Sequence, residues 1–567
     1  MVYSLHALCA AYFVVAGMVY WGIPSTFLTW YIELYSLTIP LIYYHKIAVA
    51  HYVLASLHFF GLVYPVLGVV YAKASRSWRG LKRRSAVAPN GSGFDDFDNR
   101  GSGFRSFQQS THRLMAVPRK AHRVLFANHG LFGVESRHFE VVFLTREVVE
   151  TLLQTYQAYR MSILLPRAAL NRSYVALLVL NCWTTPLLHY MVPHNMVLQR
   201  TLCILADTLL DYASSVGVST VLALTYVHLY NPDLRNFPSL FWYEDTWFVN
   251  LIIESRIFLF NSWLDAGSRL LFSLSLLVGL HDVKELLAHK PKNDNASTPS
   301  DKKQRRRSVE SSFHHSKNLS ARRVIYAAMV LYGIAIAALQ LHAESKGRPA
   351  SCVLEVRPWF VKNQACAFAE LSCHPRATPH LDIGRAEEIT TMLDKLHAPA
   401  LTYLTIRHCS AVEMPSRVQS FPALIGVKLY NCTIATWPPE AAFDKHAHAS
   451  LRFFFGIRTN FPNNTIPDGL MSPHFPPQLT DIELAFTNLE ALPDNLDAYW
   501  PQGMTLFLES GRFNHVPPVI YKLQPFMLVL QRQSVVCDPI RTADAEGVIH
   551  SITSSSTRRL QLAISRD

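Results

Sequence analysis

Six ionisable side chains stand inside apolar runs: Asp207, Asp211, Glu254, Arg256, Asp265 and Arg269. Asp207 and Asp211 are four apart and share one helix face. A charge in hydrocarbon is costly and turns to a protein interior. Two kinds of chemistry follow. The acids can line an ion or proton path, or they can pair within the molecule, as Asp265 would with Arg269 one turn on. Covalent chemistry has no such footing. The chain has no phosphate loop, HExxH, CxxC pair or G-x-S-x-G, and Gly91-Ser92-Gly93 lacks the strand–helix context of a nucleotide loop. It has no kinase signature set, so signalling would run through a partner. His314-His315 lies in a polar loop and reads as solvated surface, not as a metal ligand. No catalytic residue, cofactor or metal is expected, and the chain reads as non-enzymatic.

The elements that would hold these residues are apolar helices. The 567 residues carry a formal charge of +12, yet only 17% are charged, against about 25% in soluble domains. The basic excess gathers in two segments that flank apolar runs, which points to membrane topology and not to nucleic acid. Residues 5–32, 47–72, 173–199, 212–232 and 324–343 contain no Asp, Glu, Lys or Arg. About 20 apolar residues cross a core about 30 Å thick. Residues 5–44 are one span or two, punctuated by Pro24 and Pro40. The start has no basic n-region and stays apolar too long for a cleaved signal. Residues 246–281 read as a helical hairpin with Gly267 near its turn. Residues 139–160 read as an amphipathic helix, lying in the interface or packed on the bundle. Val141, Leu144, Val148, Val149, Leu152 and Tyr156 take one face; Arg146, Glu147, Glu150 and Gln154 take the other.

Two loops, Lys73 to Arg137 and Lys284 to Arg323, hold the positive charge and are expected inside. Spans near 175–192, 205–228, 246–263 and 268–281 keep the parity even, and the span at 324–341 then carries the remainder outside. That makes seven spans, or eight. The first loop repeats Gly-Ser-Gly-Phe at 91–94 and 101–104, and 291–320 has a disordered composition. Arg305-Arg306-Arg307-Ser308 suits a kinase, an anionic lipid or a plain topology determinant.

After 343 a repeat appears. Leu401-x-x-Leu404-x-Ile406-x-x-Cys409 reaches Pro415, and Leu424-x-x-Val427-x-Leu429-x-x-Cys432 reaches Pro438, offset by 23 throughout. Further copies start at Leu479, Leu506 and Leu528, and a degenerate one reads Phe455-x-Ile457-x-x-Asn460. The pattern resembles the leucine-rich repeat, and the chain resembles a receptor-like membrane protein with a leucine-rich ectodomain. The fold class expected is a membrane α-helical bundle plus an α/β leucine-rich-repeat solenoid. The domains expected are 1–72, N-terminal membrane segments; 73–138, basic linker; 139–281, amphipathic helix and four-span bundle; 282–323, basic loop; 324–343, last span; 344–400, Cys-containing cap; 401–540, repeats; and 541–567, tail. The resemblance implies a protein- or peptide-binding concave face. By the strand period of two it would show Tyr403, Thr405, Arg407, Gly426, Lys428, Tyr430, Phe454, Arg458, Asp481, Glu483, Phe507 and Glu509.

Six of nine cysteines follow the last span, as an oxidising compartment would favour. Cys9, Cys182 and Cys203 read as span residues. Cys409 and Cys432, at repeat turns, read as buried thiols. Cys352, Cys366 and Cys373 are disulfide candidates for the cap, with one left over and the pairing open. Asn431 and Asn463 head sequons on the outer side; Asn171, Asn295 and Asn318 head others that would face the cytoplasm. The expected partners are the bilayer, an extracellular protein or peptide and a signalling co-receptor, at the plasma membrane and with no nucleic acid. The favoured function is outside recognition. The alternative is a channel or transporter whose bundle conducts and whose repeat domain regulates, though no inverted symmetry is visible.

Overall fold

The computed structural model describes residues 2–63, 139–194, 196–288, 319–375, 377–530 and 561–563. The first basic loop, most of the second, Asn295, Asn318 and the last repeat copy beyond 530 lie outside them. In chain order come α1 (Val2–Gly22), α2 (Leu28–Leu34), α3 (Leu41–Val63), α4 (Phe139–Leu164) and α5 (Ala168–Met191). Next is α6, Met196–Tyr212, which continues through a π-helical turn, Ala213–Gly217, into Val218–Val227. Then follow α7 (Asp245–Phe258), α8 (Trp263–Ala288) and α9 (Leu319–Glu344).

Among the described residues five helices are long and apolar enough to cross a membrane: Val2–Ser25, Leu41–Val63, Leu198–Val227, Trp263–Lys284 and Arg322–Glu344. Residues 5–44 therefore hold one candidate span, Val2–Ser25, with Pro24 in the bend after α1 and the seven-residue α2 behind it; the next candidate span begins only at Leu41. At 24 residues α5 is as long, about 36 Å at 1.5 Å per residue. It runs antiparallel to α9: Arg172 near its start donates to Glu344 at 2.9 Å, and Tyr326 meets His189 Nε2 near its end at 2.9 Å. Buried Asn171, Asn181 and Thr185 make it less apolar than the five.

Two expectations need correction. The hairpin turns at Asn261 and Ser262, and Gly267 lies inside α8. Its first arm, α7, has only 14 residues, about 21 Å, too short for a span. Of the two placements expected for the amphipathic helix, α4 takes the one packed on the bundle, and its polar face is the one turned inward. Glu150 is 3% exposed and Val141 68%. Apolar Val148, Val149 and Leu152 face out, the inversion of the usual preference that a hydrocarbon surround would favour.

After α9 the chain forms a mixed sheet of nine strands. They are β1 (Cys352–Glu355), β2 (Cys366–Ser372), β3 (Tyr403–Arg407), β4 (Gly426–Tyr430), β5 (Phe453–Ile457), β6 (Asp481–Ala485), β7 (Thr505–Glu509), β8 (Met527–Val529) and β9 (Gln561–Ala563). Spatial order follows chain order; β1 and β2 are antiparallel and the rest parallel. Leu404, Ile406, Val427, Leu429, Ile482 and Leu484 point into one core. Cys352 pairs with Cys366, and Cys373 with Cys409, so Cys409 is no free thiol; Cys432 is free and buried. Both bridges lie after the last apolar helix, as an oxidising environment favours.

The opposite face of the sheet is graded. Its first row, Tyr403, Gly426, Phe453, Asp481 and Thr505, is buried. The last row, Arg407, Tyr430, Ile457 and Glu509, is half-buried, apart from buried Ala485. What covers the first row is the helical base. Tyr20, Tyr35, Tyr44 and Phe248 form one cluster with Phe368, Tyr403 and Phe453. The Phe453 ring centroid lies 5.4 Å from Tyr35, 5.5 Å from Phe248 and 5.5 Å from Tyr403. Gly426 makes room for it, because a Cβ there would stand 1.9 Å from the Phe453 ring. Phe453→Ala is expected to lower stability by about 3–5 kcal/mol, and Gly426→Ala to destabilise by overpacking, as checked by thermal unfolding of the detergent-solubilised protein. Unchanged unfolding in both would deny that this ring is the packing centre.

Candidate functional site

The most concentrated chemistry lies along α4. Residues 147, 150, 154 and 157 are spaced three, four and three apart, which places them on one face. All four are buried, as are Asp207 and Asp211 one turn apart on α6. Arg146 pairs with Asp207, and its Nε stands 3.2 Å from Glu150. Thr185 on α5 donates to Glu147 and Ser275 on α8 to Glu150. Gln154 donates to Asp211 at 3.0 Å and accepts from Asn181 at 3.1 Å.

Four carboxylates therefore meet one guanidinium, and Asp282 also acts on Arg146. Oxygens of Glu150, Asp207 and Asp211 all lie within 4.8 Å of one another. Glu147 Oε2, Glu150 Oε2, Asp207 Oδ1 and Thr151 Oγ1 are buried with no hydrogen-bond partner among the described residues. Like charges so close in a low dielectric demand neutralisation by protons or by a cation. An all-oxygen set suits hard cations.

The other charges in apolar runs pair more fully. Asp265 receives Arg160, Gln157 at 3.0 Å and Arg269 at 2.9 Å. Arg269 also donates to the carbonyls of Ile257 and Phe258. Glu254 accepts from Arg167 at 2.7 Å and from Tyr226 at 2.5 Å. Arg256 is the exception: it lends its backbone carbonyl to Arg160 at 2.6 Å, while its own Nε has no hydrogen-bond partner among the described residues. Gln157 and Arg160 continue the α4 stripe one and two turns past Gln154, within residues 139–160.

The residues expected on the concave face separate into three groups. Phe454 does not belong there: it is in register with Val427 and Ile482 and sits in the inner core. Phe453 and Phe455 take the face instead, because the degenerate copy was aligned one residue off. Tyr403, Thr405 and Asp481 are buried. Lys428 pairs with Asp245 of α7 at 2.6 Å, Tyr403 donates to Asp245 at 3.4 Å, and Tyr35 donates to Asp481 at 3.1 Å. Arg407, Tyr430, Glu483, Phe507 and Glu509 remain half-exposed on the face; Arg458 is exposed but lies just past the end of β5, in a left-handed turn at φ 50°, and is not a face residue. Arg407 lies over the Tyr430 ring at 5.2 Å and Arg458 over Phe486 at 5.7 Å. Asn431 and Asn463 are exposed, Asn431 beside His408 at 2.9 Å.

Burial pushes the Asp481 carboxyl up to about 7, against the opposing hydrogen bond from Tyr35. Burial, then repulsion from Asp481 and Glu509, pushes Glu483 up to about 8, with Lys428 opposing and Asp245 adding. Both values exceed the ordinary 3.8 and 4.5. The docked sheet thus keeps protons that a released sheet gives up. Docking strength is full below about pH 4 and falls as pH rises toward about 8. Limited proteolysis between sheet and base should accelerate over that range, and Asp481→Asn should reduce the slope while leaving the part that Glu483 carries; a slope of opposite sign would refute the assignment.

Comparison with protein-family models, with curated proteins and with solved structures finds no match to this chain.

Proposed function

We propose that this is a cation-handling membrane protein, of the channel or transporter class, whose helical bundle binds a hard divalent cation between α4 and α6. The docked C-terminal domain regulates it. One observation carries the reading: among the described residues four buried carboxylates face one arginine, and four buried oxygens at the cluster have no hydrogen-bond partner. Structural pairing alone would give each carboxylate its own cation, as Asp265 has in Arg160 and Arg269. The three carboxylates that converge within 4.8 Å supply the ligands. The cysteine bridges and the basic loops support an orientation with residues after 344 outside, at the plasma membrane.

A second reading keeps a specific observation behind it. The strands follow one another at the spacing of the sequence repeat, which supports a leucine-rich-repeat domain that recognises an outside protein or peptide. Its contact surface would be the rim of Arg407, Tyr430, Arg458 and Phe486, because the base covers the first row. Sugar on exposed Asn431 or Asn463 belongs to that reading.

Asp211 separates the two. Among the described residues it touches Gln154 and no arginine within ion-pair distance, and Asn at that position can still accept the Gln154 bond. Asp211→Asn should keep normal abundance and unfolding, yet cut Ca²⁺ or Mn²⁺ flux into proteoliposomes at least tenfold. Asp207→Asn strands Arg146 and should lower abundance as well. Full flux in Asp211→Asn, or none in the unaltered protein, would end the cation proposal.

A further inference from the structure

A second feature of the bundle is independent of the carboxylates. A cavity of about 500 Å³ lies between α1, α3, α4, α6 and α8. Its walls are mostly apolar and aromatic, among them Phe13, Leu54 and Phe272. One wall is the π-helical turn of α6, through Ser214, Ser215 and Val216. Such turns widen a helix locally and recur at functional sites. The volume falls within the roughly 300–1,000 Å³ of small-ligand sites and favours one acyl chain over two.

The mouth has its own chemistry. Lys46, Trp263, Gly267 and Leu270 line the cavity and are exposed, so it opens sideways between α3 and α8. Lys46 and Trp263 stand at the starts of two apolar helices, where the membrane meets water. Tyr43 contacts both: its ring lies 4.9 Å from Trp263 and 5.4 Å from Lys46 Nζ. Aromatic residues mark that depth, and a lysine there lifts its charge to the headgroups. The cavity's other cation, Arg269, is occupied by Asp265 and two backbone carbonyls. Lys46 has no acidic partner among the described residues. An apolar chamber with one uncommitted positive charge at its interfacial mouth complements a chain with an anionic end.

We infer that this cavity binds a single-chain acidic amphiphile, with its acyl chain inside the bundle and its carboxylate or phosphate headgroup on Lys46. The site enters from the bilayer and needs no opening of the docked sheet. Gly267 offers a clean way to block it, because a side chain added there meets open space and an alanine-like backbone already exists in α8.

The test uses the purified full chain and a fluorescent fatty acid, with lysophosphatidic acid and a fatty alcohol of equal chain length as competitors. Saturable binding is expected at one site per chain. Lys46→Glu should weaken the fatty acid at least tenfold, about 1.4 kcal/mol, while changing the alcohol little. Gly267→Phe should exclude all three with unfolding unchanged. Comparison of the two acidic competitors tells carboxylate from phosphate preference. Non-saturable uptake, or equal loss of acid and alcohol in Lys46→Glu, would overturn the inference and leave an apolar void that takes detergent. The cation proposal is untouched by either result, since flux through Asp211 reads a different cluster.

Discussion

Phe453 joins two structures that the sequence presents as separate. Its ring meets Tyr35 and Phe248 on the helical side and Tyr403 on its own sheet, so one hydrophobic core crosses the boundary. Burying such rings contributes more than any polar contact at the interface. Lys428 with Asp245 and Tyr35 with Asp481 then fix the angle at which the sheet sits. This docking determines which surfaces remain for other molecules. The starts of the strands are sealed, and exposure grows toward Arg407, Tyr430 and Glu509 at their ends.

Within the bundle, α4 sets the electrostatic pattern. Its first half gathers Glu147 and Glu150 with Asp207 and Asp211; its last turns bring Arg160 to Asp265 beside Arg269. Acid exceeds base at one depth and base exceeds acid at the other. Neutral Gln154 and Gln157 bridge the interval, the first bound to Asp211 and the second to Asp265. Buried polar groups of this kind are satisfied by one another because lipid offers no alternative. The cavity under the π-turn lies alongside this polar line, with Gln157 and Arg269 in its wall.

Much of this was legible in the sequence, and the gaps have physical causes. Uncharged runs of span length located α1, α3, α6 and α9, since hydrocarbon thickness fixes their length. The 23-residue offset located β3 and β4. The face of α4 was ambiguous because a periodic stripe carries no sign: water or lipid outside decides which side turns in. Phe453, Phe454 and Phe455 fit either face of a strand, so the register of β5 had no marker. The partner of Cys373 is Cys409, 36 residues on, brought near by parallel pairing of β2 and β3 that local spacing does not encode. The covering of the first row leaves no periodic trace, since it arises from Tyr35 and Asp245, which lie 446 residues before Asp481 and 158 before Tyr403.

The inward polar stripe of α4 also dictates an order of biosynthesis. A charge at the centre of a lone helix costs about 2.5–3.5 kcal/mol to insert, and α4 carries Arg146, Glu147, Glu150 and Arg160 on the face that ends up buried. It cannot be released into lipid when its own synthesis ends. The partner of Arg146 arrives 61 residues later and that of Arg160 arrives 105 later. In a bilayer, α4 would gain its ion-pair partners only once α6 and α8 had been made, which favours entry of the three as a group and not one helix at a time.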